Sequence, residues 1–130
     1  VSLNFNNRAG MLGPDGMNSG LAAATANKID WIRRGAGDRF DSLELEIGAY
    51  NTIITDHQEP TAAAIGEALG MSTGDILDHP HCLIGSVDYI CEELQRRREL
   101  YGISYVAVLD DGENNMVEAF APVVQRLAGK

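Results

Sequence analysis

Strand-like and helical periodicities alternate along this chain, and that alternation constrains the fold more than any other feature. Val1-Ser-Leu-Asn-Phe5 reads as a short strand. Residues 6–20 form a loop punctuated by Gly10, Gly13, Pro14, Gly16 and Gly20. Asn18 or Ser19 is placed to cap the helix that follows. That helix carries Ala22, Ala26, Ile29 and Ile32 at helical spacing, with Leu21, Ala24 and Trp31 widening the buried face. Gly35 and Gly37 stop it.

Residues 43–55 are the second strand region. Leu43, Leu45, Ile47 and Ile53 share one parity and Glu44 and Glu46 the other. The regular part is expected to end near Tyr50 or Ile54. Residues 60–69 predict an alanine-rich helix with Pro60 at its first turn. Ser72-Thr-Gly-Asp75 signals a further short helical turn. Gly85-Ser86 ends a loop, and Ser86 caps a helix with Val87, Ile90, Cys91, Leu94 and Tyr101 on its apolar stripe. Glu92 with Arg96, and Glu93 with Arg97, are read as outward i,i+4 pairs. Gly102 closes the helix. Residues 103–109 are apolar on both parities except Ser104, the pattern of a parallel strand covered on both faces. After a turn at Asp110-Asp-Gly112, Val117, Phe120, Val124 and Leu127 line a last helix. Pro122 limits where that helix starts, or kinks it.

Strands joined by crossovers of this length pair parallel, with right-handed connections. The fold class is therefore α/β in a single domain over residues 1–130. Three parallel βα units close poorly on their own, and an eight-stranded βα barrel needs about 250 residues. This chain has 130. A strand-like run at residue 1 also has nothing before it to pair with. Both facts lead us to expect three consecutive units of a larger protein, or a homo-oligomer that completes the sheet.

Composition narrows the functional classes. A net charge of −9, from 19 acidic and 10 basic residues, argues against nucleic acid and anionic membrane as partners. No apolar run approaches the roughly 20 residues that cross a bilayer, and no secretory leader is visible. The two cysteines, Cys82 and Cys91, are too few for a disulfide scaffold, so they are read as reduced thiols of a cytoplasmic protein. Cys91 lies on a helix stripe that favours burial. No phosphate loop, nucleophile elbow, zinc-protease helix or dinucleotide fingerprint is present.

Several segments carry a family resemblance. His81-Cys-Leu-Ile-Gly-Ser-Val-Asp-Tyr-Ile-Cys-Glu-Glu-Leu94, continuing to Arg96-Arg-Arg-Glu-Leu-Tyr-Gly-Ile-Ser-Tyr-Val106, resembles the end of the luciferase-like monooxygenase family. In that family a Gly-Thr/Ser loop opens the helix leading into the last barrel strand. Val1-Ser-Leu-Asn-Phe5 resembles the family's sixth strand. Residues 10–16, Lys28-Ile-Asp-Trp-Ile-Arg33, Ala36-Gly-Asp-Arg-Phe-Asp-Ser-Leu-Glu-Leu45 and Glu118-Ala-Phe-Ala-Pro-Val-Val124 resemble its coenzyme F-420-dependent subgroup. The resemblance implies strands six to eight of a (β/α)₈ barrel. It implies coenzyme F-420 or FMN as cofactor and hydride transfer or monooxygenation of a small organic substrate. The family's first five units have no counterpart here. The alternative is a non-catalytic α/β module that self-associates through its open sheet edges.

Barrel enzymes build their sites from the loops after the strands. Here those loops are residues 4–8, 50–57 and 110–115. Asn4, Asn6 and Arg8 suit a flavin ring or an anionic substrate, the arginine by its bidentate fork, against a plain solvated turn. Tyr50 and Asn51 stand where strand meets loop, for a pocket role or for ordinary packing. His57, beside Asp56 and Glu59, suits acid–base work or a surface turn. His79-Pro-His81 lacks a third ligand at metal-site spacing, so no metal is expected. Glu44 and Glu46 lie early in their strand and are assigned to structure. The stretch 10–16 is a flexible active-site loop or a linker.

Overall fold

The computed structural model describes residues 1–8, 13–110, 112 and 115–129. In chain order the elements are β1 (Ser2–Leu3), α1 (Pro14–Ser19), α2 (Ala22–Ala36), a 3-10 helix (Gly37–Ser42), β2 (Leu45–Ala49), β3 (Asn51–Ile54), α3 (Gln58–Leu69), α4 (Thr73–Leu77), β4 (Cys82–Gly85), α5 (Val87–Tyr101), β5 (Ile103–Val108) and α6 (Met116–Leu127). The chain is α/β. All its strand pairs are parallel among the described residues, and these residues form no closed barrel. Among the described residues no helix is long and apolar enough to cross a membrane.

The central sheet runs β1-β2-β5. Ser2 stands opposite Glu46, and Ala49 opposite Val108. The expected second strand breaks at Tyr50. Its first half, β2, pairs with β1 and β5, and its second half, β3, pairs with β4 from Asn51↔Cys82 to Ile54↔Gly85. The run before Ser86 is therefore a strand, where the sequence reading had a loop. All four residues of β4 are buried, and a fully buried strand shows no alternation to reveal it.

Three apolar clusters hold these layers. Leu3, Leu45, Ile47 and Ile103 pack on Ile29 of α2. Met17, Ala62, Ile76, Cys82 and Ile84 join α1, α3 and α4 to β4. Ala49, Leu83, Ile90, Cys91 and Val123 join α5 and α6 to the strands. Helix boundaries follow the local signals closely. The Ser72 and Ser86 hydroxyls accept the backbone N–H of Asp75 and Tyr89. Gly70 and Gly102 close α3 and α5 in the left-handed conformation that glycine adopts at least cost.

The exceptions share one cause, which is which face of each element meets a neighbour. Trp31 is exposed, and α2 buries Thr25 and Ile29 instead. Ser19 caps nothing: it ends α1, and α2 starts after Leu21 with no side-chain cap. Glu93 and Arg97 are buried, not outward, because their face of α5 lies over the residues that lead into β4. Val117 and Val124 are exposed, while Met116 and Val123 face inward. β5 is not covered on both faces: Ser104, Tyr105 and Ala107 are open to solvent. Among the described residues it is the edge of its sheet, and its pairing partner is β2. Asp111, Glu113 and Asn114 of the loop after β5 lie outside the described residues, as do Gly10 to Leu12 of the glycine-rich stretch.

Candidate functional site

At the carboxyl ends of β1 and β2 a cluster of four rings assembles from three parts of the chain. Phe5 meets Tyr50 and His81 edge-on, with ring centroids 5.1 Å away in each case. Tyr50 and His81 are 5.7 Å apart, and His79 lies 5.6 Å from His81. Two glycines make room. A Cβ on Gly20 would come within 2.9 Å of both imidazoles, and one on Gly48 within 2.8 Å of the Tyr50 ring.

The histidines are fully buried and strictly wired. The backbone N–H of His81 donates to His79 Nδ1 at 3.1 Å. That nitrogen is therefore unprotonated, so His79 Nε2 carries the hydrogen and donates it to the Met17 carbonyl at 2.9 Å. His81 Nδ1 donates to the Gly48 carbonyl at 2.7 Å. Burial disfavours the imidazolium in both, and it pulls His81 down to about 4. Both rings are thus neutral at physiological pH.

Behind this pair stands a buried ion pair. The Arg97 guanidinium donates to Glu93 Oε1 at 2.7 Å, to the Pro80 carbonyl at 2.8 Å and to the Cys82 carbonyl at 2.9 Å. It clamps the backbone on both sides of His81. Arg96 grips the same carboxylate bidentately at 2.7 and 2.8 Å. Burial works to raise the Glu93 carboxyl, but the two arginines outweigh it and hold it below its ordinary value.

In front of the rings, Lys28 of α2 reaches across to β1. Its ammonium donates to the carbonyls of Asn4 and Ser19, each at 2.7 Å. The Asn6 N–H donates to Ser19 Oγ at 2.6 Å, so the 4–8 turn is tied to the end of α1. Partial burial lowers the Lys28 ammonium from its usual value.

The residues singled out in the sequence divide between two places. Asn4 and Tyr50 meet, the hydroxyl 3.5 Å from Asn4 Oδ1. Asn6 and Arg8 lie in the adjoining exposed turn, where Arg8 N–H donates to Asn6 Oδ1. Asn51 turns the other way: its amide donates to Cys82 Sγ at 3.7 Å. Burial pushes the Cys82 thiol up to about 11, so it is an inert neighbour rather than a nucleophile. His57 is exposed before α3, its carbonyl accepting from Thr61.

Phe5, Lys28, Gly20 and the two histidines are the members that the sequence reading did not assign to this site. Only His79-Pro-His81 carries a local signal, that of a metal pair without its third ligand. Among the described residues no three His, Cys, Asp or Glu side chains come together as a metal site. A cavity of about 850 Å³ lies elsewhere, in an open groove between α5, β5 and α6 lined by Tyr105, Phe120 and Val124. No family model, no curated protein and no solved structure matches this chain.

Proposed function

We propose that this chain forms the last three βα units of a luciferase-like oxidoreductase barrel, using coenzyme F-420 or FMN to transfer hydride to or from a small organic substrate. One observation carries the reading. Asn4, Tyr50 and the 4–8 turn, singled out beforehand, converge with Lys28 and His81 at the carboxyl ends of neighbouring parallel strands. That end is where βα barrels hold their ligands. The order β1-β2-β5 also keeps the three main strands in chain order, as consecutive barrel strands must be.

The side chains suit such a cofactor. A planar heteroaromatic ring with carbonyl and nitrogen acceptors needs an apolar face and N–H donors. Phe5 and Tyr50 supply the first; the Asn4 and Asn6 amides and Lys28 supply the second. A flavin or deazaflavin would bring the hydride chemistry, while the protein positions and shields it. The same reading makes the protein cytoplasmic and a homo-oligomer.

A second reading, a non-catalytic module that self-associates, is favoured by the open β5 edge and the exposed Tyr105, Leu109, Val117 and Val124. Equilibrium dialysis of the purified chain against FMN and against coenzyme F-420 separates the two. Stoichiometric binding by either cofactor is expected. No binding at high protein concentration, with a mass that grows with concentration, sinks the first reading and supports the second.

A further inference from the structure

Both ring nitrogens of His79 are committed, and to opposite roles. Nδ1 accepts the His81 backbone N–H at 3.1 Å, and Nε2 donates to the Met17 carbonyl at 2.9 Å. These two bonds join the lead into β4 to α1, and both form only with the neutral ring. A proton can enter at Nδ1 alone, where it would face another N–H at hydrogen-bond distance. The backbone there is held in place. Arg97 donates to the Pro80 and Cys82 carbonyls on either side of His81, and the Cys82 N–H donates to the His79 carbonyl at 2.9 Å. Relief must therefore come from the His79 side chain swinging out, which breaks its bond to Met17.

The surroundings work against a charged ring. Burial opposes it most, Arg97 of α5 and Lys28 of α2 add to the opposition, and Asp75 of α4 favours it. His81, the other titratable ring, is neutral and 5.6 Å away. Glu93 of α5 is already taken up by Arg96 and Arg97. A His79 ring that has left its place thus takes a proton more readily than one that stays.

What the ring holds is a short element. α1 has six residues and no side-chain cap. Buried Met17 anchors it, and Gly20 at its end lies against both imidazoles. Ser19 Oγ accepts the Asn6 N–H, so the turn after β1 is tied to α1 in its turn. We infer that His79 is an acid-released latch: a proton at Nδ1 expels the ring from between the His81 N–H and the Met17 carbonyl and loosens α1 with the turn that carries Asn4 and Asn6. The burial of Met17 keeps the latch closed at neutral pH. This device is independent of whether a flavin binds.

Native-state hydrogen exchange of the full chain, read by NMR between about pH 7 and pH 5, tests it. Protection of the Met17, Gly20 and Asn6 amides, corrected for the intrinsic rate at each pH, is expected to lie below that of the β2–β5 pairing throughout. Below about pH 6.5, the ordinary imidazole value, it should fall by up to about tenfold per pH unit, the slope of one proton taken up on opening. His79→Asn keeps an acceptor for the N–H two residues on and does not titrate, so its α1 protection should be flat with pH. Protection in the wild type that ignores pH, or that equals the β2–β5 value at every pH, overturns the latch, and so does a slope retained in His79→Asn. Should His79→Asn fail to fold, the ¹⁵N shifts of the wild-type ring decide. The neutral Nε2–H form is expected at about pH 7. A Nδ1–H form, or a ring that takes its proton while α1 protection stays unchanged, overturns the proposal.

Discussion

The histidine corner and the β5–α6 edge are opposites built from misleading parts. The corner uses residues that normally prefer the surface: two histidines, a glutamate and two arginines. His79, His81, Glu93 and Arg97 are nonetheless buried, and no sealed side-chain polar atom lacks a partner among the described residues. The edge uses Tyr105, Leu109, Val117 and Val124, which normally prefer the interior, and leaves them open. Burial here follows what each face meets, and hydrogen bonding makes the polar burial tolerable.

The strongest way to break this contrast is at Arg97. Arg97→Met leaves Glu93 partly uncompensated and frees the Pro80 and Cys82 carbonyls. We expect a loss of about 3–5 kcal/mol in urea unfolding, with Glu93→Met/Arg97→Met recovering much of it. A loss below 1 kcal/mol would mean that the clamp is solvated.

Acid should act next. In the folded state both imidazoles titrate below the ordinary 6.5, His81 at about 4. The unfolded chain therefore binds more protons in that window. The stabilisation is complete above pH 6.5, falls as pH drops toward 4, and levels off below it. For His81 this is on the order of 3 kcal/mol, read as the pH dependence of unfolding free energy. His81→Asn should flatten the slope, and an unchanged slope would place the titration elsewhere.

Gly20→Ala tests the close approach to the two rings. Its backbone is ordinary, φ −101°, so the cost comes from the methyl group at 2.9 Å from both imidazoles. About 1–3 kcal/mol of destabilisation is expected, with the His79 and His81 resonances displaced. A stabilised variant would refute this packing.

The smallest effect belongs to the edge. Val124→Lys should change the stability of the monomer by less than about 0.5 kcal/mol. A change above 1 kcal/mol that grows with protein concentration would show the face to be covered by a second copy.

Much of the architecture was legible because it is written locally. Ser72, Ser86 and Gly102 marked helix ends by the hydrogen bonds and backbone angles that their side chains allow. β4 was hidden because Cys-Leu-Ile-Gly has no alternation. At the site, Asn4 and Tyr50 were found from their places at strand ends. Lys28 escaped notice because it lies mid-helix, 24 residues from the carbonyl it holds.

The sequence by itself determined the βα rhythm, the helix ends and the parallel pairing, because periodicity, capping and crossover length act over a few residues. Only the tertiary structure decided which face of each helix is buried, and that Phe5, Tyr50, His81 and Lys28 meet. Those contacts join residues 24 to 76 positions apart, and no local preference encodes which distant surface an element will cover.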